Sequence, residues 1–230
     1  MDEDSTKERR MYLRIRNLCG LLGMVLPWIA LFSAGIAAHP SDEWWWSISA
    51  TYYLSPALVG VLVPAALVLI SYIGYEPIDD TLTTLCGLFG LCIVLFPCKV
   101  SWIPDVTLVG FFQIPIEVSH IIHSVSAAIF FLLIALNSLL LFTKTNPDGV
   151  MTGRKRLRNT IYRICGWGMI GLEVVFAVLR LTHAPGYTTM ILEILLLSLF
   201  GFAWLVKGSA FPFFNDTEEV VLTPDETNNN

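Results

Sequence analysis

Glu117, His120 and His123 follow one another at steps of three residues. On a helix they form one stripe that drifts about 60° per step. Imidazole is a common metal ligand and the usual general base near neutral pH. Two such rings on one helix, joined by His183 from a later helix, would make a three-histidine site with an open fourth position, the arrangement of catalytic zinc. Zinc is then the one metal the pattern suggests, and no other cofactor is indicated. In that reading Ser49 or a metal-bound water is the nucleophile, and Ser49, His120, His123 and His183 are the catalytic candidates. His120 and His123, with Ser47, Ser49, Tyr53, Lys99, Arg180 and Glu193, also suit a non-covalent site for a lipid headgroup or small molecule. Neither HExxH nor HxxxH occurs, and histidines at a membrane interface often only hydrogen-bond at headgroup level.

Glu173 stands apart. It falls near the centre of an apolar stretch at about 161–183, where an ionised carboxylate is expensive. It is expected to be protonated, paired with Arg180 two turns on, or hydrogen-bonded to a Ser, a Thr or Asn137 across the bundle. A proton relay or a transported-ion site is the functional alternative.

The elements that must position these groups are membrane helices. Hydrophobic residues make up 55%, charged residues 14%, and mean hydropathy is +0.66; soluble domains average about 45–50% and about 25%. Six runs approach the roughly 20 apolar residues a bilayer requires, at about 17–38, 54–74, 82–102, 120–143, 161–183 and 190–207. The expected fold is all-α, an integral membrane bundle of six transmembrane helices. Basic residues cluster before the first run (Lys7–Arg16), between the fourth and fifth (Lys144, Arg154, Lys155, Arg156, Arg158) and at Lys207. The excess of Lys and Arg in cytoplasmic loops places both termini inside. Residues 1–16 then form a basic cytoplasmic segment, 17–207 the membrane domain and 208–230 an acidic, disordered cytoplasmic tail. The polar candidates collect at the outer ends of helices three to six.

The net charge of −5 is segregated, and each basic cluster abuts an apolar run. Nucleic acid is therefore not an expected partner. Membrane lipids are, and a second copy of the chain stays open. The first run has about 22 apolar residues, longer than the 7–15 of a signal-peptide core, so a retained helix is expected. The expected location is a bacterial inner membrane or a eukaryotic endomembrane. The five cysteines include no CxxC pair, and they read as small buried apolar residues. Cys98 is placed near the outer surface. Trp44, Trp45 and Trp46 suit an aromatic belt. The apolar 103–119 segment is too short to cross twice, and is expected to lie along the interface or fold back over the bundle. Gly20, Gly23, Gly87, Gly90, Gly166, Gly168 and Gly171 suit close helix packing. The halves share no motif, so an inverted-repeat transporter gains no support.

Several short motifs carry a likeness. They are Ser47-Ile48-Ser49-Ala50-Thr51-Tyr52-Tyr53, the acidic turn Tyr75-Glu76-Pro77-Ile78-Asp79-Asp80, Leu95-Phe96-Pro97, and His123 followed by Ser126-Ala127-Ala128-Ile129-Phe130-Phe131. Over about 12–205 the chain resembles a group of bacterial six-helix membrane proteins of unknown function. More remotely it resembles the FRAG/DRAM/SFK-type six-helix proteins. The resemblance implies a six-helix fold and no assigned activity. The chain departs from alkaline-ceramidase-like membrane hydrolases, because His120 and His123 are three apart and no intramembrane Asp is available. A membrane-embedded lipid hydrolase, metal-dependent or not, and a transporter or channel using Glu173 are the alternatives to binding.

Overall fold

The computed structural model describes residues 3–39, 43–74, 76–103, 105–144, 151–182 and 186–216. Within them the chain forms six α-helices: α1 (Glu3–Ala37), α2 (Ala57–Ile70), α3 (Pro77–Leu95), α4 (Ile116–Leu136), α5 (Gly153–Leu181) and α6 (Tyr187–Lys207). Five of them are long and apolar enough to cross a membrane. The exception is α2, an apolar helix of 14 residues. At 1.5 Å per residue it spans about 21 Å, short of the roughly 30 Å hydrocarbon core. The 54–74 run is therefore cut at both ends. Ser49–Tyr53 winds as a 3-10 turn, Pro56 precedes the first helical residue, and Ser71 closes the last turn on Leu67 O.

Local chemistry moves other boundaries too. Pro77 opens α3 where its missing N–H costs nothing, five residues before the expected start, and Glu76 and Asp79 cap that end reciprocally. The same helix stops at Leu95, just before Pro97, and not at 102. The α5 helix begins at Gly153 because the Thr152 side chain caps Lys155 N at 3.0 Å. The helix of α4 is prolonged by a π-turn, Asn137–Leu141.

α1 packs on α6 and α2, α3 on α2 and α4, and α5 on α4 and α6. Two crossings, α1–α6 and α2–α3, bring backbone close to backbone. A Cβ on Gly201 would stand 2.6 Å from Met24 N, and one on Gly20 would stand 2.7 Å from Leu205 N. Backbone therefore touches backbone there. The core is aromatic, with Trp204, Tyr162, Phe130 and Phe200 fully buried. Trp204 meets Tyr72 and Phe142 edge-on at 5.4 and 5.2 Å between ring centres. The outside is apolar as well: Trp28, Phe32, Ile121, Ile164, Trp167, Val174 and Leu181 are all exposed. A surface of that kind belongs in lipid.

The bundle has two chemically distinct poles. One gathers Arg16, Lys144, Lys155, Arg158 and Lys207: Arg16 bonds Tyr72, Lys144 bonds Asp79, and Lys155 and Lys207 share Phe142 O. There the Glu76 carboxylate, helped by Asp79, holds the Lys144 ammonium above its ordinary range. The other pole holds the 44–53 segment and residues 97–103 and 105–115. That second stretch is not helical. Leu108–Val109 (β1) and Ile114–Pro115 (β2) pair antiparallel. Gly110, at φ 75°, supplies the left-handed turn residue. The ribbon folds back over the end of α3, where Phe112 stacks on Phe96 at 5.5 Å. Residues 208–216 stay with the bundle: Arg158 donates to Phe214 O and to Asp216, both at 2.6 Å. The rest of the acidic tail, from 217, lies outside the described residues.

Candidate functional site

The site begins with a broken helix. Pro97 stops α3 and leaves its last carbonyls without intrahelical partners. In a membrane such groups must be satisfied within the protein, and α4 does this. His123 Nδ1 lies 3.0 Å from both Ile93 O and Phe96 O, and Ser119 Oγ donates to Pro97 O at 2.8 Å. The β-ribbon adds Phe111 N to Leu95 O at 3.3 Å. Two carbonyl neighbours require that Nδ1 carry the hydrogen, so Nε2 is the His123 atom left for other work. One turn earlier, Lys99 N donates to His120 Nδ1 at 3.3 Å, and the Lys99 ammonium pairs with Glu117.

Behind this joint lies a cavity of about 520 Å³. Its walls are the start of α4, the C-terminal part of α5, the N-terminal half of α6, the 98–102 segment and the Trp46–Ala50 segment. Ala127, Phe131, Phe176 and Leu196 form apolar walls, while Lys99, His120 and Arg180 bring cationic or titratable groups to the same space. Arg180 makes no ion pair or hydrogen bond among the described residues, and it is exposed. Ser124 and Ala128 on α4 also line the cavity and are exposed, so the space opens along the α4–α5 seam. Trp46 covers one side, with its ring against Gly186. Trp45 points outward and Trp44 packs near Gly35. The three tryptophans thus do three different things, and only the exposed Trp45 reads as a belt residue.

The structure brings Ser47, Ser49, Lys99, His120, His123, Arg180, Glu193 and Glu173 to this one cavity. Several have other commitments. Both Glu193 oxygens accept from Ser47 Oγ at 2.9 Å, Oε2 accepts from Ile48 N at 2.5 Å and Oε1 from Ser49 Oγ at 3.1 Å. Glu193 is therefore a clasp that ties α6 to the turn before α2. Ser49 donates to a carboxyl and not to an imidazole, so the described residues hold no hydrogen-bonded Ser–His pair of the kind that activates a nucleophile. Tyr53 stands outside the cavity and donates to Cys98 O at 2.6 Å. Cys98 is buried rather than near the surface, and burial, with Glu193 close by, pushes its thiol up to about 12. His183, the third member of the expected zinc set, lies outside the described residues. Among the described residues no three His, Cys, Asp or Glu side chains come together as a metal site.

Glu173 lies within the apolar part of α5. It stands eight residues from the Leu181 end of the helix, about 12 Å along the axis. It opens into the same cavity as Arg180 and Glu193, and has no hydrogen bond to Asn137 or Arg180. The cap by His123 and the clasp by Glu193 were missed at the sequence level. The Pro97 break was the available signal for the first; nothing local signals the second. Glu193→Ala removes four contacts donated by three groups. It is expected to cost about 1–3 kcal/mol, the usual effect of stranding buried donors. A thermal melt in detergent checks this, with Glu193→Gln as the milder comparison.

Compared with protein-family models, with curated proteins and with solved structures, the chain matches none.

Proposed function

We propose that the chain is a six-crossing integral membrane protein, with both termini in the cytoplasm, that binds an amphiphile with an anionic head at its outer pole. The short α2 completes the second crossing together with the 3-10 turn before it. Basic residues gathered at the opposite pole support the orientation, by the bias of cytoplasmic loops toward Lys and Arg.

One observation carries the reading: a single cavity joins apolar walls to a cationic mouth, and it opens sideways along a helix seam. Its volume of about 520 Å³ is of the size that holds a small ligand or part of a lipid, roughly 300–1,000 Å³. An acyl chain suits Ala127, Phe131 and Leu196. Arg180 offers a planar fork to a phosphate or carboxylate, with Lys99 and His120 beside it. Binding is favoured over lipid hydrolysis because the candidate nucleophile Ser49 is bonded, with Ser47, to Glu193. It is favoured over transport because Glu173 faces the same outer cavity as the other polar groups.

The test is lipid retention. Full-length protein is extracted, washed in detergent, and its bound lipid measured by mass spectrometry. Lys99→Gln/Arg180→Gln is expected to lower retained anionic lipid by about tenfold or more, since each cation near a lipid surface is worth about 1 kcal/mol. Phe131→Trp, which fills the cavity, is expected to lower lipid of any head charge. Equal anionic-lipid retention by the wild type and the double variant would sink the proposal.

A further inference from the structure

A second cavity, of about 820 Å³, lies at the opposite pole. Four cationic side chains line it: Arg16 from α1, Lys155 and Arg158 from α5, and Lys207 from the end of α6. One carboxylate, Asp216, lines it with them. This balance is unusual because the charges come from three helices and converge, where like charges on a free surface would spread apart.

The way each cation is held matters. Lys207 rests over the rings of Phe142 and Tyr162, at 5.2 and 5.9 Å, with its Nζ 3.4 Å from Phe142 O. Lys155 Nζ donates to Lys144 O at 2.9 Å. Arg16 donates twice to the Tyr72 hydroxyl, at 3.0 and 2.8 Å. Neutral oxygens and aromatic faces orient the Lys155 and Lys207 ammonium groups without cancelling their charge. Arg158 alone of the two α5 cations has a carboxylate, Asp216, at 2.6 Å. The Thr152 hydroxyl and Arg158 hold that carboxyl below its ordinary range, so it is an anion at neutral pH. Asp216 is a short, half-exposed stand-in at the mouth of a cavity far larger than one carboxylate.

We infer that this basic cavity is a second binding site, for a phosphate-bearing anion, and that Asp216 occupies the Arg158 guanidinium until that anion displaces it. Guanidinium forks and ammonium point charges together are what phosphate groups select. The cationic lining fits the phosphate itself and not what carries it, so the anion is either the headgroup of a phosphorylated lipid or a soluble phosphate compound. The site does not depend on the outer cavity, and only the assignment to the cytoplasmic leaflet rests on the orientation proposed above.

Two probes distinguish the sources: nanodiscs containing phosphatidylinositol bisphosphate, and free inositol hexakisphosphate. Full-length protein is expected to bind one or both, with affinity that falls as salt rises. Lys155→Gln/Lys207→Gln is expected to weaken binding by about tenfold or more, at about fivefold per cation. Lys155→Arg/Lys207→Arg keeps the charge and is expected to keep most of the affinity, which separates loss of the site from loss of the fold. Asp216→Asn is expected to strengthen binding by about two- to fivefold. The charge-matched control is Arg156→Gln/Arg163→Gln, at exposed positions outside the cavity. Capture by nanodiscs alone identifies a lipid headgroup, and capture of the free compound identifies a soluble ligand. Failure of both probes to bind, or equal weakening by the control pair, overturns the site. Unchanged binding in Asp216→Asn overturns the displacement.

Discussion

Gly201→Leu is expected to abolish stable folding, and Gly201→Ala to cost about 3 kcal/mol or more, at the upper end of the range for overpacking. A Cβ at this position meets Met24 N at 2.6 Å, Gly20 O at 2.8 Å and Met24 Cα at 3.0 Å. All three are backbone atoms of α1, which cannot rotate aside as a side chain can. Relief requires α1 and α6 to move apart, and that loosens Cys19, Phe200 and Trp204 at the buried heart of the bundle. Gly171→Ala supplies the contrast. A Cβ there meets nothing within 4 Å, so the better helix propensity of Ala is expected to leave stability unchanged or raise it by up to about 1 kcal/mol. Both are glycines inside apolar helices. Size-exclusion profile and thermal melt of the three variants check the pair, and a well-behaved Gly201→Leu protein would refute the α1–α6 contact.

His123→Ala is expected to lower stability by about 3–4 kcal/mol, more than a partly exposed polar residue costs. The ring is 5% exposed and its Nδ1 serves two carbonyls at the end of α3. Its removal strands both, at about 1–3 kcal/mol each, in surroundings where water does not easily substitute. The expected fall in melting temperature is about 6–16 °C, at roughly 2–4 °C per kcal/mol for a chain of this size. His123→Gln retains one N–H donor and is expected to recover part of that loss. His120→Ala is the control: its ring is half-buried and accepts one long contact from Lys99 N. It is expected to change stability by less than about 1 kcal/mol. Equal melting temperatures for wild type and His123→Ala would show that α3 ends without this cap.

These two cases mark how far the chain could be read before folding. Gly20, Gly23, Gly87 and Gly90 read as packing glycines, yet Gly201, which meets Gly20 across the crossing, did not enter that reading. Spacing within one helix names a candidate face but not the residue that will oppose it. The histidine stripe has the same limit. Glu117, His120 and His123 lie on one helix, but the first pairs with Lys99, the second accepts from a backbone N–H and the third caps α3. A common stripe did not become a common function, because each residue meets a different depth of the chain segment running past it. Thr152 and the charged first turns of α5 extend that helix beyond its apolar run. Hydropathy sees the hydrocarbon-compatible part of a helix and not its whole length.

What the sequence determined alone is the solvent and the coarse architecture. Fifty-five per cent hydrophobic residues in long runs leave helices as the economical way to satisfy a backbone in lipid. The clustering of costly polar residues near run ends was equally visible, since a single residue's depth follows from counting along its own run. Tertiary structure decided which of those residues face each other: that Glu193 closes on Ser47 and Ser49, that His123 mends the α3 break, and that four cations from three helices converge around Asp216. Those are contacts between segments up to 200 residues apart (Arg16 and Asp216 share one cavity). Their geometry depends on helix rotation and crossing, which packing sets and local composition does not.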